Sequence, residues 1–178
     1  RIGICFDVAG LRDSATSYYR RAANSDRRFG DDAYSARKAE HFLTTPFSSF
    51  DSLLLTAQNA QKSGDYLRAT ELYTSLKNSP GLVSDFTGEI VYGLGETLFE
   101  RKSYAEALVL FQQVAGMTFE REVWLKPWSC YFSGLTNVRM GIPKVAKKEF
   151  EKVLEYDEYD FKNWLEFRSK RELERLDK

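Results

Sequence analysis

The chain of 178 residues is predicted to be all-helical, built from antiparallel helix-turn-helix units that stack one on the next. Three observations predict this. One order of residues (a small residue, a turn residue, an alanine and an aromatic) occurs four times, with no gap inside any copy. In every copy the alanine and the aromatic stand one helical turn apart, so both lie on one face of a helix. Apolar residues make up 43% of the chain and aromatics 15%, with only four prolines to interrupt them. That is enough apolar surface to drive folding, and disorder is not expected.

The four copies read GICFDVAGLRDSATSYYRRA (Gly3 to Ala22), AQNAQKSGDYLRATELYTSL (Ala57 to Leu76), GETLFERKSYAEALVLFQQV (Gly95 to Val114) and GLTNVRMGIPKVAKKEFEKV (Gly134 to Val153). Each starts on a small residue (Gly3, Ala57, Gly95, Gly134), which lets two helices approach closely. A turn position follows at Gly10, Gly64, Lys102 and Gly141. Glycine ends a helix there by taking the left-handed conformation that costs other residues energy. Lys102 breaks this rule, so the third turn is expected to be less regular. Next come Ala15, Ala69, Ala107 and Ala146, then the rings of Tyr19, Tyr73, Phe111 and Phe150. The ring packs on a neighbouring helix while the alanine keeps the two backbones near. Ala22, Leu76, Val114 and Val153 extend the same stripe.

The connections carry stop and start signals. TTPFSSFD, ahead of the second copy, and KNSPGLVSDFTGE, ahead of the third, supply proline, serine and aspartate, which end one helix and cap the next. Neither is long enough to be a flexible linker. DRRFGDDAYSARKAEHFL after the first copy and EYDEYDFKNWLEFRSKRELERL after the fourth each hold a further helical segment. The second of these starts with Phe161, Trp164, Leu165 and Phe167 and then turns almost wholly charged, the pattern of a helix that covers the last hairpin and stays wet on its far side.

This order of small residue, turn, alanine and aromatic resembles the tetratricopeptide repeat, a helix-turn-helix unit of about 34 residues. The resemblance covers nearly the whole chain. It implies a right-handed superhelical solenoid: residues 1–46 a truncated first repeat plus an extra helix, 47–82, 83–120 and 121–158 the second, third and fourth repeats, and 159–178 a capping helix. Three departures stand out. The copies are spaced more widely than the family period, Leu53, Val91 and Cys130 occupy the slot of the family's tryptophan, and the first repeat would need residues before Arg1, so an upstream portion of a larger protein is expected.

The search for chemistry finds no catalytic set. His41 is the only histidine, and no G-x-S-x-G, H-E-x-x-H or paired C-x-x-C accompanies it. Gly88, Gly93 and Gly95 lack the lysine of a phosphate loop, and EYDEYD (Glu155 to Asp160) lacks the glycine and distal glutamate of a calcium loop. Cys5 and Cys130 read as small core residues. Twenty-six basic side chains balance twenty-six acidic ones with the signs interleaved, as in Lys144, Lys147, Lys148 and Lys152 among Glu149, Glu151 and Glu155. Such a balance argues against nucleic acid, and no apolar run is long enough to cross a bilayer. No enzyme activity, cofactor or metal is expected.

What the resemblance implies instead is a protein partner, a peptide or helix held in the concave groove lined by the first helix of each repeat. The positions carried over are Leu54 and Gln58 in the second repeat, Tyr92, Glu96, Phe99 and Glu100 in the third, and Trp128, Tyr131, Leu135 and Arg139 in the fourth. A lining that runs from polar through acidic to aromatic suits an apolar partner with some positive charge. The lysine and arginine clamp by which some relatives grip chaperone tails is missing, since Leu54, Gln58, Glu89 and Gly93 stand in its places. The alternative is a structural module that self-associates or positions an upstream domain.

Overall fold

The computed structural model describes residues 2–25, 30–80 and 83–178, and every regular element among them is a helix. α1 (Ile2–Val8) and α2 (Arg12–Ala23) form the first hairpin, and α3 (Gly30–Thr44) follows it. The pairs α4 (Ser49–Lys62) with α5 (Tyr66–Lys77), α6 (Ser84–Glu100) with α7 (Tyr104–Gly116), and α8 (Leu125–Arg139) with α9 (Pro143–Leu154) contain the other three copies, and α10 (Lys162–Leu176) ends the chain. No helix among the described residues is long and apolar enough to cross a membrane. Residues 26–29, at the start of DRRFGDDAYSARKAEHFL, and residues 81–82, in the connection ahead of the third copy, lie outside the described residues.

Contacts group the chain into two compact units, Arg1–Ser52 and Leu53–Lys178. In the first, α1 packs on α2 and α2 on α3. In the second, each helix from α5 to α10 packs on the next, and α8 also touches both α6 and α10.

The same turn is built four times. Gly10, Gly64, Lys102 and Gly141 all take positive φ, at 75°, 83°, 63° and 75°. At each, two backbone hydrogen bonds close the helix end. Gly10 N donates to Asp7 O (2.9 Å) and Leu11 N to Phe6 O (2.8 Å); Lys102 N donates to Phe99 O (2.9 Å) and Ser103 N to Leu98 O (2.9 Å). Gly64 and Gly141 repeat the pattern, which satisfies carbonyls that a helix end otherwise leaves bare. The expected irregularity at Lys102 is therefore absent. Its backbone adopts the left-handed conformation that suits glycine, because the packing of the flanking helices dictates the bend whatever side chain stands there.

Behind each turn the alanine is fully buried and the ring lies on a small residue. A methyl group placed on Gly3 would sit 2.6 Å from the Tyr19 ring, one on Gly95 2.8 Å from Phe111, and one on Gly134 2.6 Å from Phe150. Real carbon atoms do not approach so closely, so these sites admit only glycine at the present helix separation. In the second copy the small residue is Ala57, and the Tyr73 ring presses instead on Gly93 of α6. Ala15, Ala69, Ala107 and Ala146 have no exposed surface.

Local signals position the ends. Ser48 and Asp51 form a reciprocal cap at α4: Ser48 N donates to Asp51 Oδ2 (2.8 Å) and Asp51 N to Ser48 Oγ (3.2 Å). Asp65 caps α5 by accepting from Arg68 N, and Pro143 opens α9, where its missing N–H costs nothing. The stretch between α7 and α8 is tied to α6, since Asp85 accepts from the backbone N–H groups of Glu120 and Arg121, both at 3.2 Å.

The first unit is centred on Ala15, Tyr19, Ala39 and Phe42. Asp7 receives both the Arg12 guanidinium (2.8 Å) and the Tyr19 hydroxyl (2.9 Å), and Arg12 continues to the Phe42 carbonyl (2.6 Å). Cys5, expected in the core, is exposed: it lies on the face of α1 turned away from Gly3. At the far end of the chain α10 buries Leu165 and Ser169 against the cluster of Cys130, Ala146, Phe150 and Val153, but leaves Trp164 and Phe167 in solvent.

Two stability measurements follow. Gly134→Ala, normally favourable in a helix, should lower stability by about 1–2 kcal/mol by driving into the Phe150 ring. Gly116→Ala, which meets nothing within 4 Å, should raise it by about 0.5–1 kcal/mol. Urea titration of both variants checks the pair, and equal effects would dissociate the glycines from ring packing. Lys102→Gly should add about 0.5–1 kcal/mol by relieving the left-handed backbone, read as a higher thermal midpoint.

Candidate functional site

The predicted groove residues fall on α4, α6 and α8, and side chains from α4, α5 and α6 converge on one carboxylate. Tyr73 donates its hydroxyl to Gln61 Oε1 (2.8 Å), Gln61 Nε2 donates to Glu96 Oε2 (3.1 Å), and Tyr92 donates to Glu96 Oε1 (3.0 Å). Glu96 is half-buried, and Gln61 and Tyr92, which donate to it, are neutral. Burial pushes its carboxyl up to about 7, and the charge of Glu100 adds to the shift, against the opposing pull of the Gln61 and Tyr92 hydrogen bonds and of Lys62. The Tyr92 phenol is held well above its ordinary range by its own burial and by Glu96 beside it.

A second focus lies one hairpin further on. Phe132, on α8, stacks against Phe111 with ring centres 5.3 Å apart and meets Phe99, Tyr131 and Tyr92 edge-on at 5.7, 5.8 and 5.9 Å. Tyr92 also meets Trp124 at 5.5 Å. These edge-to-face pairs align positive ring edges with negative faces, each contributing about 0.5–1.5 kcal/mol beyond its area. Trp128 continues the row: it stacks on Trp164 of α10 at 5.1 Å, and the Arg168 guanidinium lies 3.8 Å above the Trp164 ring. Arg168 also hydrogen-bonds the Tyr131 hydroxyl.

The ten predicted residues divide by depth. Leu54, Tyr92 and Tyr131 are buried and serve packing; Gln58, Glu96, Phe99, Trp128 and Leu135 are half-buried; Glu100 and Arg139 are exposed at the C-terminal ends of α6 and α8. Tyr92 and Glu96 are joined directly by a hydrogen bond, whereas Tyr92, Phe99, Trp128 and Tyr131 are linked through Phe132. Leu135 packs instead into the Phe150 cluster. The residues that sequence reasoning passed over are Phe132, Gln61 as a hydrogen-bonding partner, and Trp124. An aromatic adjoining Tyr131 was the available signal, but its neighbours lie on other hairpins and leave no local trace.

Other chemical candidates find packing roles. Cys130 is buried near the Tyr156 hydroxyl (4.0 Å), and burial raises its thiol away from the reactive thiolate. Gly88, Gly93 and Gly95 all lie within α6, facing Phe119, Tyr73 and Phe111. In the acidic EYDEYD stretch, Tyr156 and Tyr159 turn inward against the Phe150 cluster. His41 sits on α3 with its ring edge-on to Phe42 at 5.1 Å.

Glu96 makes a pH prediction. Its folded-state value of about 7 lies above the ordinary 4.5, so the folded state prefers the protonated acid. Stability should therefore fall as pH rises from about 4.5 to 7, by about 3 kcal/mol, and level off above. Glu96→Gln should remove that slope. Urea midpoints of both proteins measured at pH 5 and pH 8 check it; parallel behaviour of wild type and variant would exclude the shift.

No family model matches the chain, and searches of curated proteins and of solved structures give no match.

Proposed function

We propose that this chain is a non-enzymatic binding scaffold of the tetratricopeptide type, its hairpins stacked as a right-handed solenoid whose first helices hold a peptide or helix of a partner protein. The observation that carries the reading is a left-handed turn with a fully buried alanine behind it, repeated four times, and a ring laid on a glycine, its own hairpin's in three copies and Gly93 of the next hairpin in the second. Units alike in this way repeat the same relation between neighbours, and such stacks offer extended surfaces rather than closed pockets. Support also comes from the first helices: α6 and α8, which touch each other, carry both the Glu96 network and the Phe132 aromatic row.

The partner chemistry that fits is apolar with positive charge. Phe99, Trp128 and the Glu96–Glu100 pair offer rings and carboxylates from half-buried or exposed positions, while Gln58 and Arg139 mark the two ends. Large amphipathic side chains of this kind concentrate binding energy in few contacts. The buried Tyr92 and Tyr131 would hold that surface in shape without touching the partner.

Photo-crosslinking distinguishes this face from the rest of the molecule. A crosslinking amino acid at Gln58, Glu100 or Arg139 should trap one discrete partner from the native extract, whereas the same group at Glu71, Glu106 or Glu151, exposed on the second helices, should not. Equal trapping from both sets, or none from the first, would overturn the assignment.

A further inference from the structure

We propose that the outer face of α10 formed by Trp164, Phe167, Arg168 and Arg171 is a docking surface for an acidic segment of a partner protein that also carries apolar side chains. These four residues follow helical spacing and share one face. Trp164 and Phe167 are 44% and 60% exposed, and among the described residues they are the tryptophan and phenylalanine side chains most open to solvent. Aromatics and arginine are the residue types enriched where proteins bind one another, and tryptophan and arginine dominate binding energy there.

The charge pattern of α10 selects the partner's sign. Lys162 and Lys170 both face Glu166 (3.8 and 3.4 Å), and Arg175 faces Glu172 (2.6 Å). Arg168 and Arg171 are treated differently: their guanidinium groups lie over the rings of Trp164 and Phe167, at 3.8 and 5.9 Å, and neither has an ion pair among the described residues. A guanidinium laid on a ring is fixed in orientation and weakly hydrated; Arg168 gives one N–H to the Tyr131 hydroxyl, and its remaining N–H groups and those of Arg171 are left for carboxylates. Two such groups one turn apart match two carboxylates one turn apart on a partner, with the partner's apolar side chains between them on Phe167 and the open edge of Trp164. Two arginines on a chain of zero net charge are too few for phosphate-dominated binding, so an acidic protein segment is the occupant favoured over nucleic acid. This surface is chemically opposite to the first-helix groove, which offers carboxylates.

The test uses the full chain and a fluorescently labelled synthetic peptide with leucine and glutamate at helical spacing, read by anisotropy. Its glutamine counterpart and an oligothymidylate serve as controls. The glutamate peptide should bind, at least about tenfold more tightly than either control, and less tightly as salt rises. Phe167→Ala and Arg171→Gln should each weaken it at least about fivefold with unchanged circular dichroism, whereas Lys170→Gln, on the same helix but held by Glu166, should leave it unchanged. Equal binding of the glutamine peptide, tighter binding of the oligothymidylate, no effect of Phe167→Ala or Arg171→Gln, or a concentration-dependent dimer abolished by Phe167→Ala would each overturn the proposal.

Discussion

Contact between an aromatic ring and a glycine sets the separation of the helices, and the remaining structure follows from that separation. Tyr19 on Gly3, Phe111 on Gly95 and Phe150 on Gly134 leave no room for a β-carbon. Protein interiors are packed too densely to absorb an added methyl without moving a helix. With the helices this close, the chain between them has to reverse in a few residues, and the left-handed bend does so while closing the last carbonyls. Lys102 makes the point by exception: its backbone takes the strained conformation at φ 63° because the tight hairpin around it leaves no other path. Local preference yields to tertiary packing.

Close approach inside each hairpin also decides what the first helices show to their neighbours. Once the small residue faces the second helix, the side chains around it on α6 and α8 are turned toward the adjoining hairpin. Phe132 exploits this position by touching rings from α6, α7 and α8. Tyr92 and Tyr131 are drawn into the same packing, and the open surface is left to side chains nearer the helix ends.

Charge is handled differently at two places. Glu96 accepts from neutral donors on α4 and α6, where removing its water favours the acid form. On α10 Glu166 and Glu172 are matched to Lys162, Lys170 and Arg175, while Arg168 lies over Trp164 with one hydrogen bond to Tyr131 and Arg171 lies over Phe167 without an ion pair among the described residues. The first arrangement ties helix packing to pH; the second leaves cationic groups oriented toward solvent.

By itself the sequence determined the helical class, the four turns and the buried alanine and ring behind each, because these rest on short-range rules: one helical turn between Ala107 and Phe111, a glycine where the backbone must turn left-handed at Gly64, a serine and an aspartate that cap α4. Tertiary structure alone decided which rings meet and which carboxylates lose their water. Gln61 reaches Glu96 across a separation of 35 residues, and Phe132 reaches Tyr92 on a different hairpin; such meetings depend on the rotation and distance of whole helices. A period of residues fixes which face of a helix is apolar, but not how that face is aligned against its neighbour, and for that reason the depth of Tyr92 and Tyr131, the exposure of Trp164 and Phe167, and the environment of Glu96 emerged only once the helices were packed.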